Sequence, residues 1–243
     1  MKQGSAKVRL YVRQPLGDAQ SVVLTREAAH YLFGVMRLDV GAKVALFNGT
    51  DGEWQSTVVA SGKRGGVLLC NHQSKPQQNP PDLWLLFAPI KKARTDFIVE
   101  KASEMGAARI LPVTTDFTNA ERIRRDRLQA HAVEAAEQCG GTFVPEVAEL
   151  QKLAQLLADW PDDRQIMFCD ETLAGVRQVL GTSKKDKWAI LIGPEGGFSA
   201  AEQTQLRSLP FVTSVSLGPR ILRADTAVVA AMTCWQSELG DWQ

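Results

Sequence analysis

The first third of the chain consists of short runs of alternating apolar and polar residues, separated by turns rich in glycine and asparagine. A period of two residues is typical of β-strands with one buried face. The pattern predicts strands over Val8–Val12, Ser21–Leu24, Lys43–Phe47, Glu53–Ser61 and Val67–Asn71. Asn48–Gly52 and Gly62–Gly66 are predicted turns, because Asn and Gly tolerate a positive φ. Several short strands joined by such turns indicate a small β-barrel.

One predicted helix interrupts these strands. It should begin after Thr25, with Glu27 in its first turn, and end before Val40. We expect its apolar side chains to pack on the barrel; they are Tyr31, Leu32, Val35 and Met36.

The pattern changes after residues 74–81, a segment with three prolines and no apolar side chains. Such a segment can neither pack in a core nor continue a sheet, so we interpret it as a linker. From Leu83 onward strand-like and helix-like segments alternate, which indicates an α/β domain with a mainly parallel sheet. The predicted organisation is therefore a small domain over residues 1–73, a linker over 74–81 and a larger domain over 82–243.

Two predicted strands near the end of the chain, Trp188–Ile192 and Val212–Ser216, lead into glycine-centred loops. In an open α/β sheet, ligands bind outside the carboxyl ends of the strands, where glycine lets the backbone approach them closely. The first loop has neither the Gly-Lys-Ser/Thr ending of a P-loop nor the G-x-G-x-x-G spacing of a dinucleotide-binding motif. Phosphate binding is therefore not its expected role. Ser199 and Glu202 have the spacing of a capping box, which predicts a helix directly after the first loop.

The composition is that of a globular protein, since 44% of its 243 residues are hydrophobic. No run approaches the roughly 18 apolar residues of a membrane span, and residues 1–9 lack the apolar stretch of a signal peptide. We therefore expect a cytoplasmic protein with no membrane partner. The four cysteines and three histidines are scattered, so we expect reduced thiols and no metal site.

A net charge of +1 conceals an asymmetry along the chain. Residues 1–81 contain ten Lys and Arg against five Asp and Glu, whereas residues 82–243 contain 18 against 22. A basic small domain beside an acidic larger one suggests that the small domain meets a polyanion. An ordinary solvated surface is the alternative.

The two glycine loops, residues 191–199 and 217–225, together resemble the cofactor-binding end of the SPOUT class of methyltransferases. The chain also resembles the RsmE-type 16S rRNA (uridine-N3) methyltransferases in Glu100–Gly106, Arg109–Pro112, Glu134–Gly140 and His30–Arg37. This resemblance covers nearly the whole chain. Three residues depart from the family: Gly141 replaces the usual arginine, and Ala224 and Asp225 replace the usual threonine and glutamate.

The resemblance implies an α/β fold in which a PUA-like β-barrel precedes a SPOUT domain that contains a mainly parallel sheet and a trefoil knot. It also implies that the two loops bind S-adenosylmethionine, chiefly through backbone contacts and an apolar wall around the adenine. The expected cofactor-binding residues are Leu191, Ile192, Gly193, Gly196, Leu217, Gly218, Ile221 and Leu222. They supply the apolar surface and bare backbone that an adenine pocket needs, although core packing is the alternative for any single leucine.

Uridine N3 lies on the Watson–Crick edge, so a target base must be unpaired before it can be methylated. The nucleophilic form of this imide is an anion, which the site must stabilise or generate. We expect Arg220 and Arg223 to stabilise it, because a guanidinium stays charged in a partly buried site; a phosphate clamp or a surface ion pair is the alternative. Asp225 either orients Arg223, accepts the N3 proton or caps the last helix.

The expected partner is 16S rRNA or the small ribosomal subunit. Candidate RNA contacts in the basic domain are Arg9, Arg13, Arg37, Lys63 and Arg64; of these, Arg9 and Arg37 occupy positions that match the family. The resemblance also implies a homodimer. The last predicted helix, Thr226–Leu239, is rich in Ala, Val and Met and either meets that partner or packs on its own sheet.

Two other functions stay open. A SPOUT ribose 2′-O-methyltransferase would modify a different atom of the nucleotide. A non-catalytic rRNA-binding assembly factor would bind RNA without cofactor binding or turnover, and would follow if Ala224 and Asp225 disabled the site.

Overall fold

The computed structural model describes residues 6–62, 64–120, 122–170, 180 and 186–242. The chain divides into two compact units. The first comprises residues up to Asn79 together with Ala136–Val144, and the second comprises Pro80–Ala135 and the residues from Pro145 onward. A segment from far downstream therefore belongs to the first unit, which the sequence pattern did not indicate.

The first unit contains a five-stranded sheet. Its strands are β1 (Val8–Tyr11), β2 (Ser21–Val23), β3 (Lys43–Phe47), β4 (Glu53–Gly62) and β5 (Gly65–Lys75). Their order is β1-β3-β4-β5-β2, with β1 and β3 parallel and the other pairs antiparallel. Apolar side chains from all five strands meet in one core, as in a small barrel. Each predicted strand is confirmed, with ends that differ by a few residues.

The last strand of this sheet extends into the predicted linker. Lys75 pairs with Glu53, and the Ser74 hydroxyl donates to Glu53 Oε1 at 2.8 Å. Polar side chains can continue a strand when its backbone finds a partner, so the absence of apolar residues was not sufficient to end the sheet here.

The helix of the first unit begins as predicted but changes its winding. Its first turn, α1 (Arg26–Ala29), is capped by Thr25 Oγ1, which accepts a hydrogen bond from the Ala28 N–H at 3.2 Å. A π-helical segment, His30–Val35, follows. The i→i+5 spacing rotates later side chains away from the face that an α-helix would bury. The prediction that Val35 and Met36 pack on the barrel is therefore wrong, since they are 59% and 41% exposed.

The second unit is built on a parallel sheet. Its strands are β6 (Leu83–Phe87), β7 (Arg109–Thr114), β8 (Glu146–Val147), β9 (Gln151–Lys152), β10 (Arg164–Cys169), β11 (Lys187–Ile192) and β12 (Val212–Val215). The order is β12-β10-β11-β6-β7-β8, and β9 also pairs with β7. All these pairs are parallel. The α/β prediction is confirmed, whereas the trefoil knot stays a prediction.

Helices α2 (Lys92–Glu104), α3 (Arg125–Cys139), α4 (Leu153–Ala158), α5 (Ala200–Ser208) and α6 (Ala224–Glu238) accompany these strands. The apolar face of α6 includes Val228, Met232 and Trp235, all buried, and the helix packs on α2 and β11. This packing accounts for the apolar composition of the last helix. Across the residues that the structure describes, no helix is both long and apolar enough to span a membrane.

Candidate active site

A cavity of about 590 Å³ lies in the second unit beyond the carboxyl ends of β10, β11 and β12. This volume is within the range of roughly 300–1,000 Å³ that small-molecule sites occupy. Most of its lining comes from three stretches: Phe168–Asp170 at the end of β10, Ile192–Phe198 after β11, and residues between Leu217 and Ala227 after β12. The cavity therefore occupies the place where parallel sheets bind ligands.

The first glycine loop, residues 193–199, is shaped by close packing. A Cβ atom on Gly193 would lie 2.6 Å from Cε2 of Phe198, so a larger residue would displace that ring. Phe198 in turn packs edge-on against Phe168, with ring centroids 5.1 Å apart. Gly197 has a φ of +70° and donates its N–H to the Pro194 carbonyl at 2.9 Å. These contacts fix the wall of the cavity before any ligand binds.

The predicted capping box ends this loop and is confirmed. Ser199 Oγ accepts a hydrogen bond from the Glu202 N–H at 3.2 Å, and Glu202 Oε2 accepts one from the Ser199 N–H at 2.9 Å. Helix α5 therefore starts at a fixed position beside the cavity.

The second glycine loop, residues 217–225, contributes another part of the cavity wall. Gly218 has a φ of +117°, which L side chains rarely adopt, and its N–H donates to Ser216 Oγ at 3.2 Å. Ile221 lines the cavity although it is 79% exposed. A ligand that covered this side chain would gain the free energy of removing apolar surface from water.

Seven of the eight predicted cofactor-binding residues line this one cavity. They are Ile192, Gly193, Gly196, Leu217, Gly218, Ile221 and Leu222. Leu191 is absent from the lining, because it is fully buried and packs in the core of the sheet beside Phe168 and Leu86. For Leu191, core packing is therefore the role that the structure supports.

Arg220 and Arg223 both line the cavity and are exposed. Within the described ranges, neither guanidinium forms an ion pair with a carboxylate. Two cations at one cavity that have no carboxylate partner among the described residues favour an anionic ligand group or an anionic reaction centre.

Asp225 is engaged elsewhere. Its Oδ2 lies 3.7 Å from Nε of Arg94, and its Oδ1 accepts the Thr226 N–H at 2.9 Å. Asp225 does not line the cavity, whereas Glu195, which does, accepts a hydrogen bond from Arg94 Nη1 at 2.7 Å. Arg94 on α2 thus connects the first glycine loop to the start of α6. These contacts favour a positioning role for Asp225 through Arg94, rather than through Arg223.

Two cavity residues at the end of β10 were not predicted. Asp170 is buried and accepts hydrogen bonds from Arg207 Nε at 2.9 Å and Nη2 at 2.6 Å. Burial, together with the neighbouring Cys234 thiol, raises the pKa of Cys169 to about 12, so this thiol stays neutral at physiological pH. Residues 165–169 are one of the strand-like apolar segments of the second domain, so the rule that ligands bind at strand ends could have identified both residues.

In the first unit, Arg9 does not present its charge to solvent. Its guanidinium donates to Glu53 Oε2 at 2.7 Å and to the carbonyls of Ala136, Glu137 and Gly141 at 2.6, 2.9 and 2.6 Å. Cations satisfy the free carbonyls at the carboxyl end of a helix, here α3. The structure thus corrects the expectation that Arg9 contacts RNA, because its donors already have partners.

The other residues that were predicted to contact RNA differ from Arg9 in their exposure to solvent. Arg13, Arg37 and Arg64 are exposed, and Lys63 lies outside the described residues. Arg37 follows the π-helical segment with a φ of +54°, a conformation that is uncommon for a residue with a side chain. In the part of the chain that the structure describes, no three His, Cys, Asp or Glu side chains are grouped as metal ligands would be.

Two family models match this chain. One describes an RNA methyltransferase domain and matches residues 77–236; the other describes an RNA methyltransferase PUA domain and matches residues 24–68. Together they cover both units.

Individual relatives agree with these models. The ribosomal RNA small subunit methyltransferase E of Rickettsia conorii is 28% identical over 92% of this chain and 93% of its own length. The protein of that name from Bacillus subtilis is 26% identical over 93% and 94%. Among solved structures, a ribosomal RNA small subunit methyltransferase E from Neisseria gonorrhoeae bound to S-adenosyl methionine superposes with a TM-score of 0.87. It is 25% identical and covers 97% of this chain and 99% of that one.

Proposed function

We propose that this chain, which belongs to the RNA methyltransferase family, uses S-adenosylmethionine to methylate the 16S rRNA of the small ribosomal subunit. The acceptor that we propose is N3 of a uridine. The observation that most supports this function is the cavity formed by the two glycine loops, with Arg220 and Arg223 exposed at its surface.

The residues present fit S-adenosylmethionine. Ile192, Leu217 and Leu222 offer apolar surface for an adenine, and the backbone of Gly193 and Gly218 can approach a ligand closely. When bound, the cofactor supplies a methyl group activated by a sulfonium ion. The walls that hold it are fixed by the packing of the first glycine loop, so this chain orients the donor with little reorganisation.

Negative charge develops on the uridine as its N3 proton leaves. Arg220 and Arg223 are the groups that we assign to stabilise this charge, because a guanidinium stays protonated and a cation beside a developing anion lowers the energy of that anion. Within the described residues, the carboxylates that line the cavity are Asp170 and Glu195, and they are bound to Arg207 and Arg94. We therefore assign no side chain as the proton acceptor: the N3 proton passes to solvent water, the uridine anion takes the methyl group, and alignment and electrostatics provide most of the rate enhancement.

We propose that the basic first unit binds the RNA substrate. Arg13, Arg37 and Arg64 are exposed there and can contact phosphates. Each phosphate contact that a substitution removes should lower the slope of log affinity against log salt by about 0.7–0.9. Because its substrate is rRNA, we also place the protein in the cytoplasm.

We further propose a homodimer, on the resemblance to the SPOUT class. The packing of α6 within its own unit does not by itself demand a partner. Light scattering of the full chain at micromolar concentration should give twice the monomer mass of 26.6 kDa, and a monomer would contradict the proposal.

The experiment that tests the function has two parts. Calorimetry should detect binding of S-adenosylmethionine, and no binding at millimolar ligand would contradict an enzymatic role. The chain should then methylate small subunits purified from cells that lack it, and mass spectrometry of the nucleosides should show 3-methyluridine. A 2′-O-methylated nucleoside would instead identify a ribose methyltransferase. RNA binding without methylation would identify an assembly factor.

A further inference from the structure

Phe117 is an aromatic residue that the fold leaves unusually open to solvent. It follows β7 in the second unit and is 47% exposed. Phenylalanine is among the residue types that are most often buried, so an open ring at a defined position is a candidate contact surface.

The backbone around Phe117 is held in place. Thr115 and Thr118 form a turn in which the Thr118 N–H donates to the Thr115 carbonyl at 3.1 Å and the Thr115 N–H donates to Thr118 Oγ1 at 2.9 Å. The Asp116 N–H donates to Glu202 Oε1 at 2.9 Å, and the Ser199 hydroxyl donates to the Asp116 carboxylate. The turn is thus attached to the capping box at the end of the first glycine loop.

Phe117 lies against the cavity rim. A Cβ atom on Gly196 would lie 3.4 Å from Phe117 Cβ and 3.9 Å from its Cγ and Cδ2, so the side chain packs along the glycine backbone. Gly196 lines the cavity, whereas Phe117 itself does not. The Phe117 side chain therefore lies directly beside a glycine that lines the proposed cofactor site, and about half of it is open to a second substrate.

We propose that Phe117 is the stacking surface for the unpaired base that this enzyme methylates. This inference rests on the proposed function. A base removed from its helix loses stacking with its neighbours, and an aromatic side chain can replace that interaction. A fixed ring at the rim would hold the plane of the base, and hence the N3 atom, in one orientation relative to the cofactor.

The charges that follow Phe117 in the sequence agree with a nucleic-acid ligand. Arg122 and Arg124, a few residues downstream, are both exposed, and Arg124 is only loosely paired with Asp126 at 3.5 Å, with both side chains more than 70% exposed. Aromatic rings combined with cations are the usual composition of single-strand RNA sites. A second copy of this chain is the competing occupant for an exposed ring, and the test includes that outcome.

The test compares Phe117→Leu with Phe117→Tyr, and uses Phe97→Leu as the matched control. Phe97 on α2 is also exposed, at 38%, but does not line the cavity. We expect Phe117→Leu to lower kcat/KM for undermethylated small subunits by roughly 5- to 150-fold, the effect of losing one stacked base. Phe117→Tyr and Phe97→Leu should keep wild-type values, and all variants should bind S-adenosylmethionine normally by calorimetry.

A second readout does not depend on turnover. In Phe117→Trp, a short unpaired uridine-containing RNA should quench the added tryptophan fluorescence, because a stacked base quenches an indole. Absence of quenching, or equal kcat/KM for Phe117→Leu and the wild type, would overturn the inference. So would a change in oligomeric mass of Phe117→Leu, since the ring would then be covered by a second copy. If the wild type fails to methylate, the proposed function fails, and the fluorescence still decides whether Phe117 meets a base.

Discussion

Replacing Arg9 with alanine distinguishes a structural role from an RNA contact. The sequence places this arginine in the basic first domain, whereas the structure surrounds it with acceptors. The Arg9 side chain is 15% exposed and that of Glu53, its partner at 2.7 Å, is 7% exposed. The guanidinium also packs over the ring of Phe47, 4.6 Å from its centroid. We expect Arg9→Ala to destabilise the first unit.

The magnitude follows from these contacts. Deleting one partner of a buried ion pair costs roughly 3–5 kcal/mol, because the other charge stays buried. Here Glu53 keeps a hydrogen bond from Ser74 at 2.8 Å and has Lys75 at 3.7 Å, which reduces that cost. The lost hydrogen bonds to three carbonyls add to it, although bonds that share one guanidinium are not additive. We expect the free energy of unfolding to fall by about 2–4 kcal/mol.

Urea denaturation of the full chain measures this change, and Arg13→Ala is the control. Arg13 is exposed, so its substitution should change the free energy of unfolding by less than about 0.5 kcal/mol. If Arg9→Ala were as stable as the wild type but bound RNA with a smaller salt dependence, Arg9 would contact RNA and our reasoning would be wrong.

The same variant has a predicted pH dependence. Burial alone would raise the pKa of Glu53, but hydrogen bonds from Arg9 and Ser74 outweigh it and hold the pKa below its ordinary value of 4.5. A carboxyl group with a lowered pKa stabilises the fold above the unfolded-state pKa, and this contribution is lost as pH falls through the folded-state pKa. The loss in free energy of unfolding that Arg9→Ala causes should therefore have its full size at pH 7. This loss should become smaller below about pH 4.5.

Two further substitutions test the site. Gly193→Ala would place a methyl group 2.6 Å from the Phe198 ring and displace that ring from the cavity wall. Calorimetry should therefore show weaker binding of S-adenosylmethionine. An unchanged affinity would contradict a wall that is shaped by close packing. Arg94→Gln removes the contacts to Glu195 at 2.7 Å and Asp225 at 3.7 Å. Because these pairs are partly exposed, the free energy of unfolding should fall by less than about 1 kcal/mol. The kcat for methylation should fall by more than tenfold. A normal kcat would show that the two loops keep their positions without Arg94.

Much of the fold follows from hydrophobic periodicity alone. Strand β3 has the predicted bounds Lys43–Phe47, and β6 begins at Leu83, where the pattern predicts the change of domain, because apolar runs between turn residues leave few alternatives. Strands β8 and β9 contain two residues each, and two residues are too few to show an alternation of apolar and polar positions. The π-helical winding of His30–Val35 also has no signature in the pattern, since its hydrogen-bond register depends on packing.

The site was predictable where its chemistry is local. Glycine loops after buried strands, and the capping box at Ser199, are encoded by neighbouring residues. The ion-pair partner of Asp225 is not encoded by neighbouring residues. Adjacent sequence suggested Arg223, yet the structure gives Arg94, which lies on a different helix. A pairing between two helices depends on which helices pack together, here α2 and α6, and a single sequence does not specify that packing.

The arginines of this chain show why charge alone does not identify a binding residue. Arg9 and Arg207 each face a buried carboxylate at 2.7 and 2.6 Å, and in that surrounding a guanidinium stabilises the fold. Arg220 and Arg223 are exposed at a cavity and form no ion pair with any carboxylate in the described ranges. A cation kept at a concave site without a counter-ion costs folding free energy through repulsion, and an anion that binds there offsets that cost. Arg220 and Arg223, which have no carboxylate partner among the described residues, are therefore the arginines that we propose as functional, and the acceptor that we propose for them is the uridine anion.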